Sequence, residues 1–351
     1  MSSVKSKSVV FQKIPDGMPT ADSLGVVTSE VSLTPPPGGL VLKTLYVSVD
    51  PYMRGRMRPA EVKSYVPAFD LGKPLSNFGV ASVVASAADG FKVGDIAVVA
   101  VCEFSEYFVL PAATIAALAL KPLDRSLGLP LTNYLGVLGM PGMTAYYAMY
   151  DIDGQMKAGE TILISAASGA VGQLVGQLAK REGMYVVGSA GSDDKVAAVK
   201  KLGFDAAFNY KTESPAEAVP KYCPKGIDCY FENVGGEMLD AALVNANKRG
   251  RIICCGMISQ YNLKPNELYG VKNTMQIVIK SLRVQGFIVL DAMADPKKFR
   301  AFQDKVAPWV KSGEVSYRED VTVGIEATGQ ALADVLAGKN HGKAIVQFAS
   351  E

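Results

Sequence analysis

The residues most able to do chemistry begin at Ala167-x-Gly169-x-x-Gly172, with Ala170 and Val171 between the glycines. This string comes directly after an apolar, β-rich run at 161–165 and leads into a helical pattern at 173–180 with Leu174, Leu178 and Ala179 on its apolar side. A strand, a tight turn of small residues and a helix N-terminus, in that order, make a cradle for a pyrophosphate. Gly169 lets the backbone approach the anion, Gly172 lets the helix pack close to the strand, and the helix end offers N–H groups and a positive dipole. The position of the first glycine in the G-x-G-x-x-G pattern is held by Ala167, which requires a negative φ or an altered turn. An ordinary strand–helix unit with packing glycines is the plainer alternative.

The next strand, expected at 184–187, closes a βαβ half of a dinucleotide-binding sheet. The residues at its carboxyl end select the dinucleotide. An NAD site places Asp or Glu at this strand end to grip the ribose hydroxyls. Here the strand runs out through Gly188-Ser189-Ala190-Gly191-Ser192, with Asp193 and Asp194 late and Lys195 close behind. Asp193 is suited to the first turn of a helix, where an acid meets the dipole. Small hydroxyls and a lysine favour a 2′-phosphate, hence NADP(H). A solvated helix lysine is the plainer account of Lys195.

These groups need a scaffold, and the rest of the chain supplies two kinds. Residues 4–130 read mainly as β, with strands expected at 8–12, 40–49, 78–85, 96–101 and 105–110 and an alternating apolar pattern in 40–49. From about 131 to 149 the pattern shifts to small residues, a proline and a helix start, expected as hinge and cleft wall. Strand and helix then alternate through 206–208, 215–222, 227–232, 238–245, 250–257 and 282–287, the pattern of a parallel sheet. A helix over 296–312 carries Phe299, Phe302, Val306 and Trp309 on one stripe. The last strand, helix and strand (317–323, 326–337, 343–348) are expected to return to the first domain. The expected domains are therefore 1–130, 131–305 and 306–351.

Composition excludes several functions. The formal net charge is +2 and no basic block is interleaved with aromatics, which argues against nucleic acid. His341 is the single histidine, so a His-centred triad is a poor reading. Five cysteines, odd in number and scattered, point to a reducing compartment, and a cytoplasmic location is expected. Cys102 is the only cysteine of the first 200 residues, and Cys254 and Cys255, adjacent in an expected strand, point to opposite faces, so no zinc set is expected. The first residues lack an apolar signal core and no run of 18 apolar residues occurs, so no membrane partner is expected.

Longer strings add to this. They are Asp50-Pro51-Tyr52-Met53, Leu138-Gly139-Met140-Pro141-Gly142-Met143-Thr144-Ala145-Tyr146, Ala167 to Gly172, and Gly191-Ser192 with Lys195. Further on come Gly203-Phe204-Asp205, Asn209-Tyr210-Lys211, Glu232-Asn233-Val234-Gly235-Gly236 and Gly256 to Asn262. Through them nearly the whole chain resembles the zinc-independent medium-chain dehydrogenase/reductase superfamily, and within it the NADP-dependent alkenal double-bond reductases and prostaglandin (leukotriene) reductases. The resemblance implies an α/β fold in which a Rossmann-type doubly wound parallel sheet is inserted into a mainly β, GroES-like catalytic domain. It implies that Lys195 and Tyr210 hold the 2′-phosphate of NADP(H), assisted by Ser192 or Ser189, that Asn233 lies by the nicotinamide ribose, and that Asn340 of Asn340-x-Gly342-Lys343 also reaches the cofactor. It implies catalytic positions for Tyr261 and Tyr52. Some relatives carry tyrosine where this chain has Phe78, which is expected to make the pocket more apolar.

The activity implied is reduction of the C=C bond of α,β-unsaturated aldehydes and ketones by hydride transfer to the β carbon. The carbonyl already polarises the alkene, so orientation and a donor to the developing oxyanion suffice. Tyr261 or water supplies the proton; a phenol is a reluctant acid but a competent donor to an enolate. Plainer accounts make Tyr261 and Tyr52 wall residues and Asn233 a turn cap. The alternative functions are a zinc-free quinone reductase or hydroxy-lipid dehydrogenase of the same superfamily, and a cofactor-binding protein without turnover. The apolar stretches 275–279 and 284–290 suit either a dimer surface or the core; a homodimer is expected, with a monomer as the alternative.

Overall fold

In a computed structural model, which describes residues 2–153 and 156–351, the chain divides into two units. One contains Met1–Leu135 and Glu319–Glu351, the other Gly136–Arg318. Residues 306–318, expected with the returning segment, pack with the second unit. They finish the helix Pro296–Ser312, closed by Gly313 in the left-handed conformation (φ 80°), and Gln173 of the helix Gly172–Arg181 accepts from the Arg318 N–H at 2.9 Å.

The first unit begins as an antiparallel pair, β1 (Ser3–Phe11) with β2 (Leu24–Ser32). The next sheet is built from β3 (Leu40–Ser48), β4 (Ser76–Ser86), β5 (Ile96–Glu103) and β6 (Tyr107–Leu110), all paired antiparallel. Strand β3 is buried along most of its length because it is covered on both faces. Its Leu40 and Leu42 join Val9, Phe11, Met53, Phe104 and Phe108 in the main core of this unit. On the other face, Leu45 packs with Val80, Leu131, Leu135 and Ile345, and Phe78 rests against this smaller cluster.

The second unit holds a parallel sheet of β7 (Thr161–Ile164), β8 (Tyr185–Ala190), β9 (Ala206–Asn209), β10 (Ile227–Glu232), β11 (Ala246–Cys254) and β12 (Arg283–Gly286). The order across it is β12-β11-β10-β7-β8-β9. The order reverses at β7, so the crevice beyond its carboxyl end is the topological switch point, where open α/β sheets take their ligands. The β7 residues are all buried, the continuous apolar run of a strand covered by helices on both sides. The chain then returns to the first unit as β13 (Glu319–Val323) and β14 (Lys343–Gln347). These two pair parallel, and β14 adds antiparallel to β3, with Ile345 opposite Ser48. The Rossmann-type sheet thus interrupts a mainly antiparallel β-unit, as expected from the sequence. Short helices at Met53–Arg56, Ala112–Ala117, Met275–Ile279 and Val289–Met293 had no sequence signal, being too brief to show a helical period.

Candidate active site

The turn after β7 has the shape of a phosphate cradle. Ala166, not a glycine, takes the left-handed conformation (φ 48°), and its carbonyl accepts from the Gly169 N–H at 2.9 Å. Ala167 therefore needs no positive φ, and its N–H bonds the Ser189 carbonyl at 2.9 Å. A Cβ on Gly172 would lie 2.5 Å from the Ala166 carbonyl oxygen, so only glycine lets the helix Gly172–Arg181 start this close to the turn. A Cβ on Gly169 would already press the same oxygen, at 3.1 Å. Val171 stands at the helix N-cap, and no side chain caps it. At this start the Gln173 N–H bonds the Gly169 carbonyl at 3.2 Å and the Leu174 N–H that of Val171 at 3.0 Å, so an anion would meet the Gly172 N–H and the positive end of the helix dipole.

Beyond β8 the second corner assembles. Ser192 caps the helix Asp193–Lys201, its hydroxyl accepting from the Lys195 N–H. Asp193 Oδ1 accepts from the Asn209 side-chain amide at 2.8 Å, which ties the first turn of this helix to β9. Lys195 is only 6% exposed, unusual for a lysine on a helix. Tyr210 bonds back to β8 through its N–H, and its hydroxyl lies 3.0 Å from the point a Cβ on Gly191 would occupy. Gly191 is the hollow into which that phenol fits. The buried Ser189 hydroxyl has no partner among the described residues. A buried cation, a capped helix start and a phenol around a side-chain-free strand end fit a 2′-phosphate, and the cradle fits a pyrophosphate.

A third cluster lies at the ends of β10 and β11. Asn233 ties β10 to β7: its N–H donates to the Ser165 hydroxyl at 2.9 Å and its side-chain amide to the Ser165 carbonyl at 2.7 Å. Its carbonyl accepts from the Ile258 N–H, and Val234 accepts from that of Ser259, joining this turn to the 3₁₀ turn Ile258–Gln260. Tyr261 comes at once after it. Its hydroxyl accepts from the Met257 N–H at 3.2 Å and lies 2.7 Å from the place of a Cβ on Gly256. Asn233 and Tyr261 are therefore set by one interlocked pair of loops at the carboxyl edge of the sheet.

Sequence reasoning gave no part to Glu232, which anchors those loops. It is fully buried, and one carboxyl oxygen accepts from the Tyr230 hydroxyl, the Ser165 hydroxyl and the N–H groups of Val234 and Gly235. Its other oxygen has no partner among the described residues. Burial holds this carboxyl above the usual glutamate range, against the pull of those donors.

Tyr52 and Asn340 belong to the other unit. The Asn340 side chain donates to the Gly342 carbonyl at 2.8 Å, shaping its own loop. Tyr52 begins the short helix Met53–Arg56 and donates its hydroxyl proton to the Asn77 side-chain oxygen at 2.5 Å. Asn77 donates in turn to the Ser48 carbonyl and to Asp50, both at 2.9 Å, and Asp50 pairs with the buried Lys343 at 3.3 Å. Register explains the gathering: β14, β3 and β4 lie side by side, so Lys343, Asp50 and Asn77 meet at one end of the sheet. Burial and the Asp50 charge push the Tyr52 phenol well above the usual tyrosine range, with Arg56 opposing.

Cys102, Cys223 and Cys229 are buried, Cys254 and Cys255 partly so, and none is in a disulfide. Among the described residues, no group of three His, Cys, Asp or Glu side chains is placed to hold a metal ion.

Comparison with known proteins places this arrangement. Residues 7–118 match a family described as the N-terminal domain of oxidoreductase, and residues 170–307 one described as zinc-binding dehydrogenase. The chain is 45% identical to the NADP-dependent oxidoreductase RED1 of Cochliobolus heterostrophus over 98% of both chains. It is also 45% identical to the 2-alkenal reductase (NADP(+)-dependent) of Nicotiana tabacum over 99% of both. The crystal structure of CurA in complex with NADPH from Vibrio vulnificus superposes with a TM-score of 0.88 at 35% identity, covering 98% of this chain and 100% of that one. The chain belongs to the NADP-dependent alkenal reductase family of the zinc-independent medium-chain dehydrogenases/reductases.

Proposed function

We propose that the protein reduces the C=C bond of α,β-unsaturated aldehydes and ketones at the expense of NADPH. The observation that carries this reading is the convergence, at the carboxyl edge of one parallel sheet, of the 166–172 cradle, the Ser192–Lys195–Tyr210 corner and the Asn233–Tyr261 loops. Gly169, Ala170, Val171 and Gly172 would take the pyrophosphate, with Ala167 shaping the turn behind them. Ser192, Lys195 and Tyr210 would hold the 2′-phosphate, Asn233 would lie by the nicotinamide ribose, and Asn340 is assigned a cofactor contact. Bound NADPH supplies a hydride to the β carbon.

The residues of the chain then deal with the charge that accumulates on the carbonyl oxygen. Tyr261 is the residue we assign to that oxygen. A hydroxyl that accepts a backbone N–H is polarised towards donation, and a donor set before the reaction costs no reorganisation when charge develops. The α carbon takes its proton from Tyr261 or water. Tyr52 is assigned a place against the substrate.

The unit 136–318 is the NADP(H)-binding domain in this reading and the other unit the catalytic one. We assign a homodimer formed through the edge strand β12. In the short helix Met275–Ile279 that precedes this strand Met275, Val278 and Ile279 are 64%, 74% and 63% exposed, Val284 on the strand is 43% exposed, and an open strand edge invites pairing with a second copy. No described helix is long and apolar enough to cross a membrane. The unpaired cysteines favour a cytoplasmic location.

The test is product analysis with NADPH and NADH against a long-chain enal, 4-phenylbut-3-en-2-one, a cyclic enone and a quinone. Saturated aldehydes and ketones formed with NADPH are the expected result. Quinol formation with the enones untouched would replace this reading with a quinone reductase.

A further inference from the structure

The polar chain behind Tyr52 fixes more than its position. The Asn77 amide nitrogen has two protons, and they go to the Ser48 carbonyl and to Asp50 Oδ2, each at 2.9 Å. A carbonyl oxygen can only accept. Asp50 Oδ2 already accepts from the Ser48 hydroxyl at 2.5 Å, while Oδ1 faces the Lys343 ammonium at 3.3 Å. Lys343, 1% exposed, gives its remaining protons to the Val49 and Ala344 carbonyls, so all three of its N–H groups have acceptors. A flipped Asn77 would set oxygen against two oxygens. The amide is therefore oriented without ambiguity, and its Oδ1 faces Tyr52. The bond between them, at 2.5 Å, must carry the tyrosine's own proton.

We propose that Asn77, held by Ser48, Asp50 and Lys343, is a positioning residue that turns the Tyr52 hydroxyl proton inward, so that Tyr52 meets the substrate with an oxygen lone pair and supplies neither the proton of the reaction nor a hydrogen bond to the carbonyl oxygen. The contact with substrate rests on the ene-reductase reading above; the direction of the proton does not. The charges around the phenol agree with this polarity. Arg56 stands beside it as a cation that an oxygen lone pair can face, and Asp50 lies behind Asn77 on the side towards which the proton points. The two tyrosines thus have opposite polarity: Tyr261 accepts a backbone N–H, whereas Tyr52 donates to a fixed amide oxygen.

The test reads the proton itself in the cofactor-free protein. With tyrosine labelled by ¹³C at Cζ, a hydroxyl proton in slow exchange splits its Cζ line in equal parts H₂O and D₂O. A split line that disappears in Tyr52→Phe is expected, beside that of the fully buried Tyr230 hydroxyl, and it merges to a single averaged line in Asn77→Leu. An averaged Tyr52 line in the wild-type protein would overturn the proposal whether or not Asn77→Leu folds. A second measurement uses NADPH and 4-phenylbut-3-en-2-one in single turnover. In Tyr52→Phe the solvent isotope effect keeps its wild-type value; a change of more than twofold in that effect would also overturn it. If the wild-type protein fails to reduce the enone, the ene-reductase reading falls and the split line still decides the direction of the proton.

Discussion

Lys195 gives the sharpest test of cofactor choice. Lys195→Met keeps the length of the side chain and its packing but removes the charge. At 6% exposure the ammonium is largely out of water, so its contact with a phosphate is screened little by salt. A hydrogen bond to a charged group is worth about 1.5–3 kcal/mol, and each 1.4 kcal/mol is about tenfold in Kd. NADPH should therefore bind about 10- to 150-fold more weakly to the variant. NADH, which lacks the 2′-phosphate, should lose about threefold at most. Titration of both nucleotides by calorimetry or by quenching of Trp309, the single tryptophan, at two salt concentrations measures each. An equal loss for both nucleotides would mean that Lys195 supports the fold and not the phosphate. No loss for either would make it an ordinary helix lysine and remove the argument for NADPH from this corner.

Other expectations come from named contacts. Gly172→Ala puts a methyl 2.5 Å from the Ala166 carbonyl; the backbone must move, and we expect a destabilisation of about 1–3 kcal/mol in urea with NADPH binding lost. Glu232→Gln removes a carboxyl that burial holds above its usual range. In the wild type the folded state retains that proton more tightly than the unfolded state, so stability falls as pH rises from the unfolded value through the raised one. Denaturation at pH 5 and pH 8 should show this loss in the wild type and a smaller one in the variant. Burial pushes the Cys254 thiol up to about 11 and that of Cys255 up to about 12. Below those values the thiolate grows about tenfold per pH unit. Alkylation by an enal, monitored by mass spectrometry of the folded protein, should therefore be very slow at pH 7 and accelerate steeply towards pH 10, while the unfolded chain reacts readily at neutral pH.

Legibility in the sequence tracked the range of the interactions. The helices Pro215–Tyr222 and Pro296–Ser312 and the strand Ile227–Glu232 are read to the residue, because a proline at the first helical position or a run of apolar residues marks each locally. The cradle is legible as spacing, but its left-handed residue is not: Ala166 carries it, where the pattern directs attention to Ala167. The stretch 275–279, open to either core or surface from its composition, forms a short exposed helix. Phe78, expected at the pocket by resemblance, packs with Leu45, Val80 and Ile345. On the same strand the neighbouring Asn77 points to the opposite face and holds Tyr52. Nothing local marks Asn77 or Glu232. Their roles exist only once strands distant in sequence lie side by side, which no window along the chain contains.

That distance has a consequence for how the protein is made. Lys343 closes the cluster behind Tyr52 by bonding to Val49, a residue 294 positions earlier. A chain leaving the ribosome has all of 136–318 in hand before β14 exists, and domains fold as they emerge. Until then β3 lacks its β14 neighbour along 46–48, and Asp50 has no ammonium facing it. The amino-terminal unit thus waits through nearly all of translation with part of a strand edge open. A message cut short just before its final strand would yield a chain with a finished nucleotide-binding sheet and an unfinished partner, a substrate for chaperones and proteases rather than a partly active enzyme.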